Sequence, residues 1–111
     1  MKNDSEIASV INPVVEKYPG IIRVGVFGSY ARNEPEVRDI DIVFDESPDN
    51  NVRDMLHFLT DLQQNIWDEM HKETDILAYR CIIAPTDDED DKEIRQNILN
   101  DIIWIYDKNN N

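Results

Sequence analysis

In residues 39 to 45 every second side chain is apolar and three of the others are acidic, and this pattern constrains the fold more than any other feature of the chain. The apolar positions are Ile40, Ile42 and Phe44, and the positions between them are Asp39, Asp41, Val43 and Asp45. A period of two predicts a β-strand with one face buried. We therefore expect a strand over Arg38–Asp45 whose acidic face has a role other than core packing.

Helical and extended patterns alternate along the rest of the chain. Apolar residues recur at helical spacing from Ser5 to Lys17, where Pro13 predicts a kink or a break. The later predicted elements are a strand over Ile21–Phe27 with Ile22, Val24 and Val26 on one face, an amphipathic helix with the stripe Val52, Met55, Leu59, Leu62, Ile66 and Met70, a strand from Thr74 to Tyr79 that extends at most to Ile83, and a helix from Lys92 to Lys108. This order predicts one α/β domain over residues 1–111, a small mixed β-sheet with helices packed on one face.

The charge balance limits the classes of partner. The chain has 24 acidic and 11 basic residues and a formal net charge of −13, which disfavours direct binding to nucleic acid or to an anionic membrane. It leaves a divalent cation and a basic partner protein as possibilities. The start of the chain lacks the pattern of a signal peptide, so we expect a cytoplasmic location. The single cysteine, Cys81, lies in an apolar run and is expected to be a small buried residue.

Asp39 and Asp41 are the first candidates for a chemical role. Carboxylates at positions i and i+2 of a strand share a face, with α-carbons about 6 to 7 Å apart. Such a pair can bind Mg²⁺ together with phosphate oxygens, although a solvated strand face would look similar. Gly28 and Ser29 follow a predicted strand and precede a short helix, where a close backbone approach, a hydroxyl and free amides suit a triphosphate. We also expect Ser29 to cap that helix.

Two further residues complete the candidate set. Asp75 lies near the start of the third predicted strand and would join the carboxylate pair if that strand neighbours the second. A carboxylate there could accept a proton from an attacking hydroxyl. Arg32 could neutralise triphosphate charge, or it could form a surface ion pair with Glu34 or Glu36.

The combination of Gly28-Ser29, Arg32 and Asp39-x-Asp41 resembles the signature of the DNA polymerase beta-like nucleotidyltransferase superfamily. Within it, the whole chain is similar to the minimal nucleotidyltransferases, or MNT proteins. The resemblance implies the polymerase beta-like fold, a triphosphate site at Gly28, Ser29 and Arg32, and catalytic metal ligands at Asp39, Asp41 and Asp75 for two Mg²⁺ ions.

The chain departs from the family pattern at two positions. Asn33 stands where the family usually has glycine, and asparagine tolerates a left-handed backbone. Arg38 stands where the family usually has serine, and its strand position predicts that it points away from the carboxylates. Neither departure removes a metal ligand.

The resemblance also implies a function. MNT proteins act as antitoxins of HEPN toxins, so the expected reaction is Mg²⁺-dependent transfer of AMP from ATP to a tyrosine hydroxyl of a HEPN toxin partner. One alternative is an antitoxin that neutralises its partner by binding alone. A third is a small-molecule adenylyltransferase similar to those that modify aminoglycosides, which carry an extra acceptor-binding domain. The predicted final helix leaves Trp104 opposite its apolar stripe, where it would lie at a partner interface or against the tail or a loop.

Overall fold

The structure, a computed structural model, describes residues 4–110 and contains five helices and four strands in that range. The helices are α1 (Asp4–Val15), α2 (Gly28–Ala31), α3 (Val52–Met70), α4 (Tyr79–Ile83) and α5 (Glu89–Asp101). The strands are β1 (Ile21–Phe27), β2 (Asp39–Glu46), β3 (Glu73–Ala78) and β4 (Ile103–Asp107), and a 3-10 turn follows at Lys108–Asn110. The first three residues, part of the segment that lacked a signal-peptide pattern, lie outside the described range.

The four strands form one mixed sheet in the order β3-β2-β1-β4. β1 runs antiparallel to both β2 and β4, whereas β2 and β3 are parallel. Parallel neighbours need a long crossover connection, and α3 provides it. The predicted small mixed sheet is confirmed, with β4 as an additional strand.

The main core lies between one face of the sheet and the helices α1 and α3. Its largest members on α3 are Phe58, Leu62 and Ile66, all fully buried. Leu62 and Ile66 belong to the predicted stripe and Phe58 does not, whereas Val52, the first residue of that stripe, is exposed. On β1, Ile21 joins Val24 and Val26 in this core, whereas Ile22 was expected there. A shift of strand register between Ile21 and Arg23 accounts for this difference.

A smaller cluster covers part of the other face of the sheet. Phe27, Val43 and Ile82 are buried there beneath α4 and α5. The expectation of helices on one face therefore holds for α1 and α3, and α4 and α5 add a second partial layer on the other face. This second layer borders the acidic face of β2.

The predicted final helix is wrong in its second half. α5 ends at Asp101, and residues 103–107 form β4, which pairs with β1. The run Ile102–Tyr106 is rich in β-branched and aromatic residues, which suit a strand once a free sheet edge is available. The apolar spacing that suggested a helix arose by coincidence across the end of α5 and the start of β4.

Two smaller predictions also need correction. α1 continues through Pro13 as one helix, so no break occurs there. The third strand ends at Ala78, and Cys81 lies exposed on α4 while its neighbour Ile82 is buried. Within residues 4–110 no helix combines the length and the apolar composition needed to cross a membrane.

Candidate active site

Strand register brings the three predicted aspartates together. The parallel pairing of β2 with β3 sets Asp41 beside Asp75 and Asp39 beside Glu73. Asp39, Asp41 and Asp75 share one face because paired residues of neighbouring strands project in the same direction. They line an open cleft of about 430 Å³, whose walls are formed by Ser29, Glu34, Glu36, Arg38, Asp39, Asp41 and Asp75. The expectation that β3 neighbours β2 is confirmed.

Gly28 fixes the backbone beside this cleft. It follows Phe27, which pairs with Asp41 across β1 and β2, and it has a left-handed φ of 69°. A β-carbon at this position would lie 2.1 Å from Oδ2 of Asp41, so only glycine allows the junction of β1 and α2 to approach the carboxylate this closely. Ser29 lines the cleft, but the N-cap of α2 is Phe27 and no side chain caps it, so the expected cap role of Ser29 is wrong.

Partial burial and neighbouring carboxylates both act on Asp41 in the cleft. Partial burial, followed by the charges of Asp75 and Asp39, raises the pKa of Asp41 above its ordinary value, and Arg32 partly offsets this rise. A cation placed near such a carboxylate stabilises its charged form. The site therefore favours a positively charged ligand before any substrate arrives.

Two arginines lie at the cleft with different surroundings. Nε of Arg32 donates to Glu34 at 2.8 Å, and its Nη1 donates to Asp101 of α5 at 2.5 Å. The predicted pairing with Glu34 is present. Arg38 precedes the first residue of β2 and is among the residues that line the cleft with Asp39, although its strand position predicted the opposite face.

The residues present fit the metal ions that the fold family implies. No three carboxylate, imidazole or thiolate side chains within residues 4–110 form a ready-made metal cage. Asp39 and Asp41 nevertheless supply hard oxygen donors on one face, and the raised pKa of Asp41 shows that an added positive charge would relieve their repulsion. The Asp41 carboxylate occupies the space that a side chain at Gly28 would fill, so this carboxylate lies directly against the backbone where α2 begins.

Trp104 lies on β4 and not on a helix, so its predicted place opposite a helical stripe is wrong. Its ring covers Gly25, whose added β-carbon would meet the ring at 3.0 Å. The guanidinium of Arg23 lies 3.9 Å from the centroid of the Trp104 ring and 4.6 Å from that of Tyr79, and its Nε donates to Asp45 at 3.1 Å. This cluster stabilises the sheet beyond the acidic cleft. Nothing local in the sequence pairs these four side chains.

Comparison with known proteins agrees with the geometry. The family model described as "Polymerase beta, Nucleotidyltransferase" matches residues 9–111. A protein of Methanocaldococcus jannaschii, named as a candidate protein adenylyltransferase, is 36% identical over 81 residues, which cover 72% of this chain and 82% of the relative.

Solved structures share the fold at low sequence identity. One is a chain from the tri-AMPylated Shewanella oneidensis HEPN toxin in complex with an MNT antitoxin, with a TM-score of 0.58, 14% identity, and coverage of 97% of this chain and 76% of that chain. Another is a nucleotidyltransferase-like protein of Sulfolobus solfataricus, with a TM-score of 0.53, 19% identity, and coverage of 96% and 81%. The resemblance drawn from the sequence is confirmed: the chain is a nucleotidyltransferase and belongs to the polymerase beta nucleotidyltransferase family.

Proposed function

We propose that this protein is a Mg²⁺-dependent protein adenylyltransferase that transfers AMP from ATP to a tyrosine hydroxyl of a HEPN-type toxin, and so acts as its antitoxin. One observation carries the proposal: the Gly28 backbone lies against Asp41, and Asp39 and Asp75 flank that carboxylate on one face. This arrangement suits a triphosphate and an acceptor hydroxyl meeting at one point. The name of the Methanocaldococcus relative supports the choice of a protein acceptor.

Binding of the nucleotide would use the junction of β1 and α2. Gly28 lets the triphosphate approach the backbone, and the Ser29 hydroxyl is available to donate to a phosphate oxygen. Arg38 and Arg32 bring positive charge to the same cleft. Asp39 and Asp41, with Asp75, would hold the Mg²⁺ ions, which when bound supply positive charge against the triphosphate and polarise its phosphoryl oxygens.

Asp75 would accept the proton of the acceptor hydroxyl. The hydroxyl oxygen of the acceptor forms a new bond to the α-phosphorus, while the bond from that phosphorus to the oxygen bridging to the β-phosphate breaks. Pyrophosphate leaves with the bonding electron pair, and the hydroxyl proton passes to the Asp75 carboxylate. Asp75 is exposed on β3, so an acceptor from outside the chain can reach it.

The surface favours a basic acceptor. The cleft is open and lined by five carboxylates, one serine and one arginine. A net charge of −13 would attract a partner with a basic face, and it would attract a polycationic aminoglycoside as well. The preference for a protein acceptor therefore rests on the name of the Methanocaldococcus relative.

The direct test is transfer of α-labelled ATP to a purified HEPN-type toxin in the presence of Mg²⁺. We expect label on the toxin with wild-type protein and loss of label with the Asp39→Asn, Asp41→Asn double variant. Glu93→Gln, which removes an exposed acid of α5, is the matched control and should retain transfer. Absence of both nucleotide binding and transfer in the wild type, tested with several triphosphates, would refute the proposal.

A cell-survival assay separates catalysis from masking. We expect the double variant to fail to protect cells that express the toxin, while Glu93→Gln protects them fully. If the double variant protects as well as wild type, binding alone neutralises the toxin and the antitoxin role stands without catalysis.

A further inference from the structure

Strand β3 lies at the edge of the sheet next to the active-site cleft. Within residues 4–110 it pairs with β2 on one side only. Its residues Glu73, Asp75 and Leu77 are exposed on the face that carries the cleft. An unpaired strand edge offers a row of backbone donors and acceptors to another extended chain.

An apolar surface runs alongside this edge on helix α3. Val52, Leu56 and Trp67 are 67%, 51% and 49% exposed, and at 100° per residue they lie within about 60° of one another around the helix. We call these three residues the apolar flank. A cavity of about 270 Å³ lies between Trp67 and the first residues of β3. A second cavity, of about 410 Å³, lies between Val52 and Arg80, just after β3 ends.

We propose that the β3 edge and the apolar flank dock an extended, basic segment of the acceptor protein, which pairs with β3 as an added strand. This inference rests on the proposed function and adds to it the shape and charge of the acceptor. Residues directly opposite on neighbouring strands have β-carbons about 4.5 to 5.5 Å apart. A side chain paired with Asp75 therefore projects from the cleft face, where its hydroxyl meets the carboxylate that accepts its proton.

The charge of the β3 edge determines which kind of segment can bind there. Glu73 and Asp75 on the edge itself, and a net charge of −13 for the whole chain, repel a second copy of this protein. Lys72, next to them, directs its amine to the backbone oxygen of Val37, 2.5 Å away. Basic side chains on either side of the acceptor hydroxyl would be attracted to both edge carboxylates, so the same charges that prevent self-pairing favour a basic segment.

The test uses short tyrosine-centred peptides long enough to span the six residues of β3. One peptide carries lysines, and a second carries glutamates at the same positions. Two further lysine peptides are N-methylated at every second backbone amide, so that the first is blocked along one edge of the extended peptide and the second along the opposite edge. Binding is measured by fluorescence anisotropy with wild-type protein. We expect the lysine peptide to bind, and the glutamate peptide and one of the two methylated peptides to bind at least about tenfold more weakly. Equal binding of lysine and glutamate peptides, or equal behaviour of the two methylated peptides, would overturn the proposal.

Protein variants locate the binding surface. Leu77→Arg, on β3, should weaken binding of the lysine peptide at least about tenfold. Ile94→Arg introduces the same charge at a 58% exposed residue of α5 and should leave binding unchanged, with circular dichroism as the check on folding of both variants. If the two variants weaken binding equally, the β3 edge is not the docking surface.

A further pair of measurements separates this inference from the catalytic proposal. The Asp39→Asn, Asp41→Asn double variant should bind the lysine peptide, since neither residue is on β3. Peptide docking as described without AMP transfer would leave the docking surface standing and refute the reaction. If Leu77→Arg does not impair AMP transfer to a toxin, the docking surface is refuted and the reaction stands.

Discussion

Oδ2 of Asp41 lies 2.1 Å from the position that a β-carbon would occupy at Gly28. The two residues belong to different elements, β2 and the first turn of α2, and the antiparallel pairing of Phe27 with Asp41 brings them together. The distance ties the junction of β1 and α2, the candidate phosphate site, to Asp41, a candidate metal ligand. A change at either residue therefore acts on both.

Gly28→Ala is expected to impair both folding and nucleotide binding. A left-handed backbone costs a residue with a β-carbon about 1 to 2 kcal/mol, and here the Asp41 carboxylate must also move. Chemical denaturation gives the loss of stability, and titration with ATP and Mg²⁺ gives the loss of affinity. Asn33→Gly is the control, because Asn33 also has a positive φ, of 65°, and glycine should be neutral or slightly stabilising there. Unchanged ATP affinity in a folded Gly28→Ala protein would show that the close approach is not needed for binding.

Asp41→Asn should raise the melting temperature of the protein in the absence of divalent ions. Burial and the charges of Asp75 and Asp39 raise the pKa of Asp41, so the folded state binds this proton more tightly than the unfolded chain does. The resulting loss of stability is present at neutral pH and disappears as the pH falls through the folded-state pKa. The gain from Asp41→Asn should therefore be a few degrees at pH 7 and should shrink toward about pH 4, near the ordinary pKa of aspartate.

The matched variant for this test is Asp45→Asn on the same face of β2. The Asp45 carboxylate accepts a hydrogen bond from Nε of Arg23 at 3.1 Å, so removing the carboxylate charge should lower the melting temperature. Melts in EDTA across this pH range would contradict the assignment if the gain from Asp41→Asn grew on acidification.

Asp101→Asn should increase the affinity for ATP by releasing Arg32. Arg32 is shared between Glu34 and Asp101, so both carboxylates compete with a triphosphate for its guanidinium. Because the pairs are exposed, we expect the increase in affinity to be small, and isothermal titration with Mg²⁺ present measures it.

Two further variants control for this effect. Arg32→Ala should weaken ATP binding, and Glu93→Gln, which removes another acid of α5, should change it less than Asp101→Asn does. If Asp101→Asn and Arg32→Ala both leave the affinity unchanged, Arg32 serves only the surface ion pairs.

Trp104→Ala should act on the fold and not on a partner interface. The ring covers Gly25 and contacts Arg23, so its removal opens a gap on the sheet and loses a cation–π contact. Removing a fully buried tryptophan costs about 3 to 5 kcal/mol, and for this partly exposed ring we expect about 2 to 3. Urea denaturation measures the loss. Trp104→Phe should recover more than half of it, and a destabilisation under about 0.5 kcal/mol by Trp104→Ala would show that the ring does not support the sheet.

Local sequence was sufficient for the family and for the aspartate pair of the candidate site. Asp39 and Asp41 share a face because strand side chains alternate, and this alternation needs no information from the rest of the chain. Most of the stripe of α3 was similarly local, because periodicity depends on a few neighbouring residues. The start of α5 was predicted at Lys92 and lies at Glu89, where the side chain of Asp88 accepts from the amides of Asp90 and Asp91.

Non-local pairing decided the rest. Asp75 lies beside Asp41 because β3 pairs in parallel with β2, a register that forms only after α3 has folded back onto the sheet. Residues 103–107 became β4 because the open edge of β1 satisfies their backbone hydrogen bonds, although their apolar spacing also suited a helix. The sequence alone thus determined the elements with a strong local period, whereas the tertiary structure decided which strands meet, since backbone pairing energy is available only when a partner edge is present.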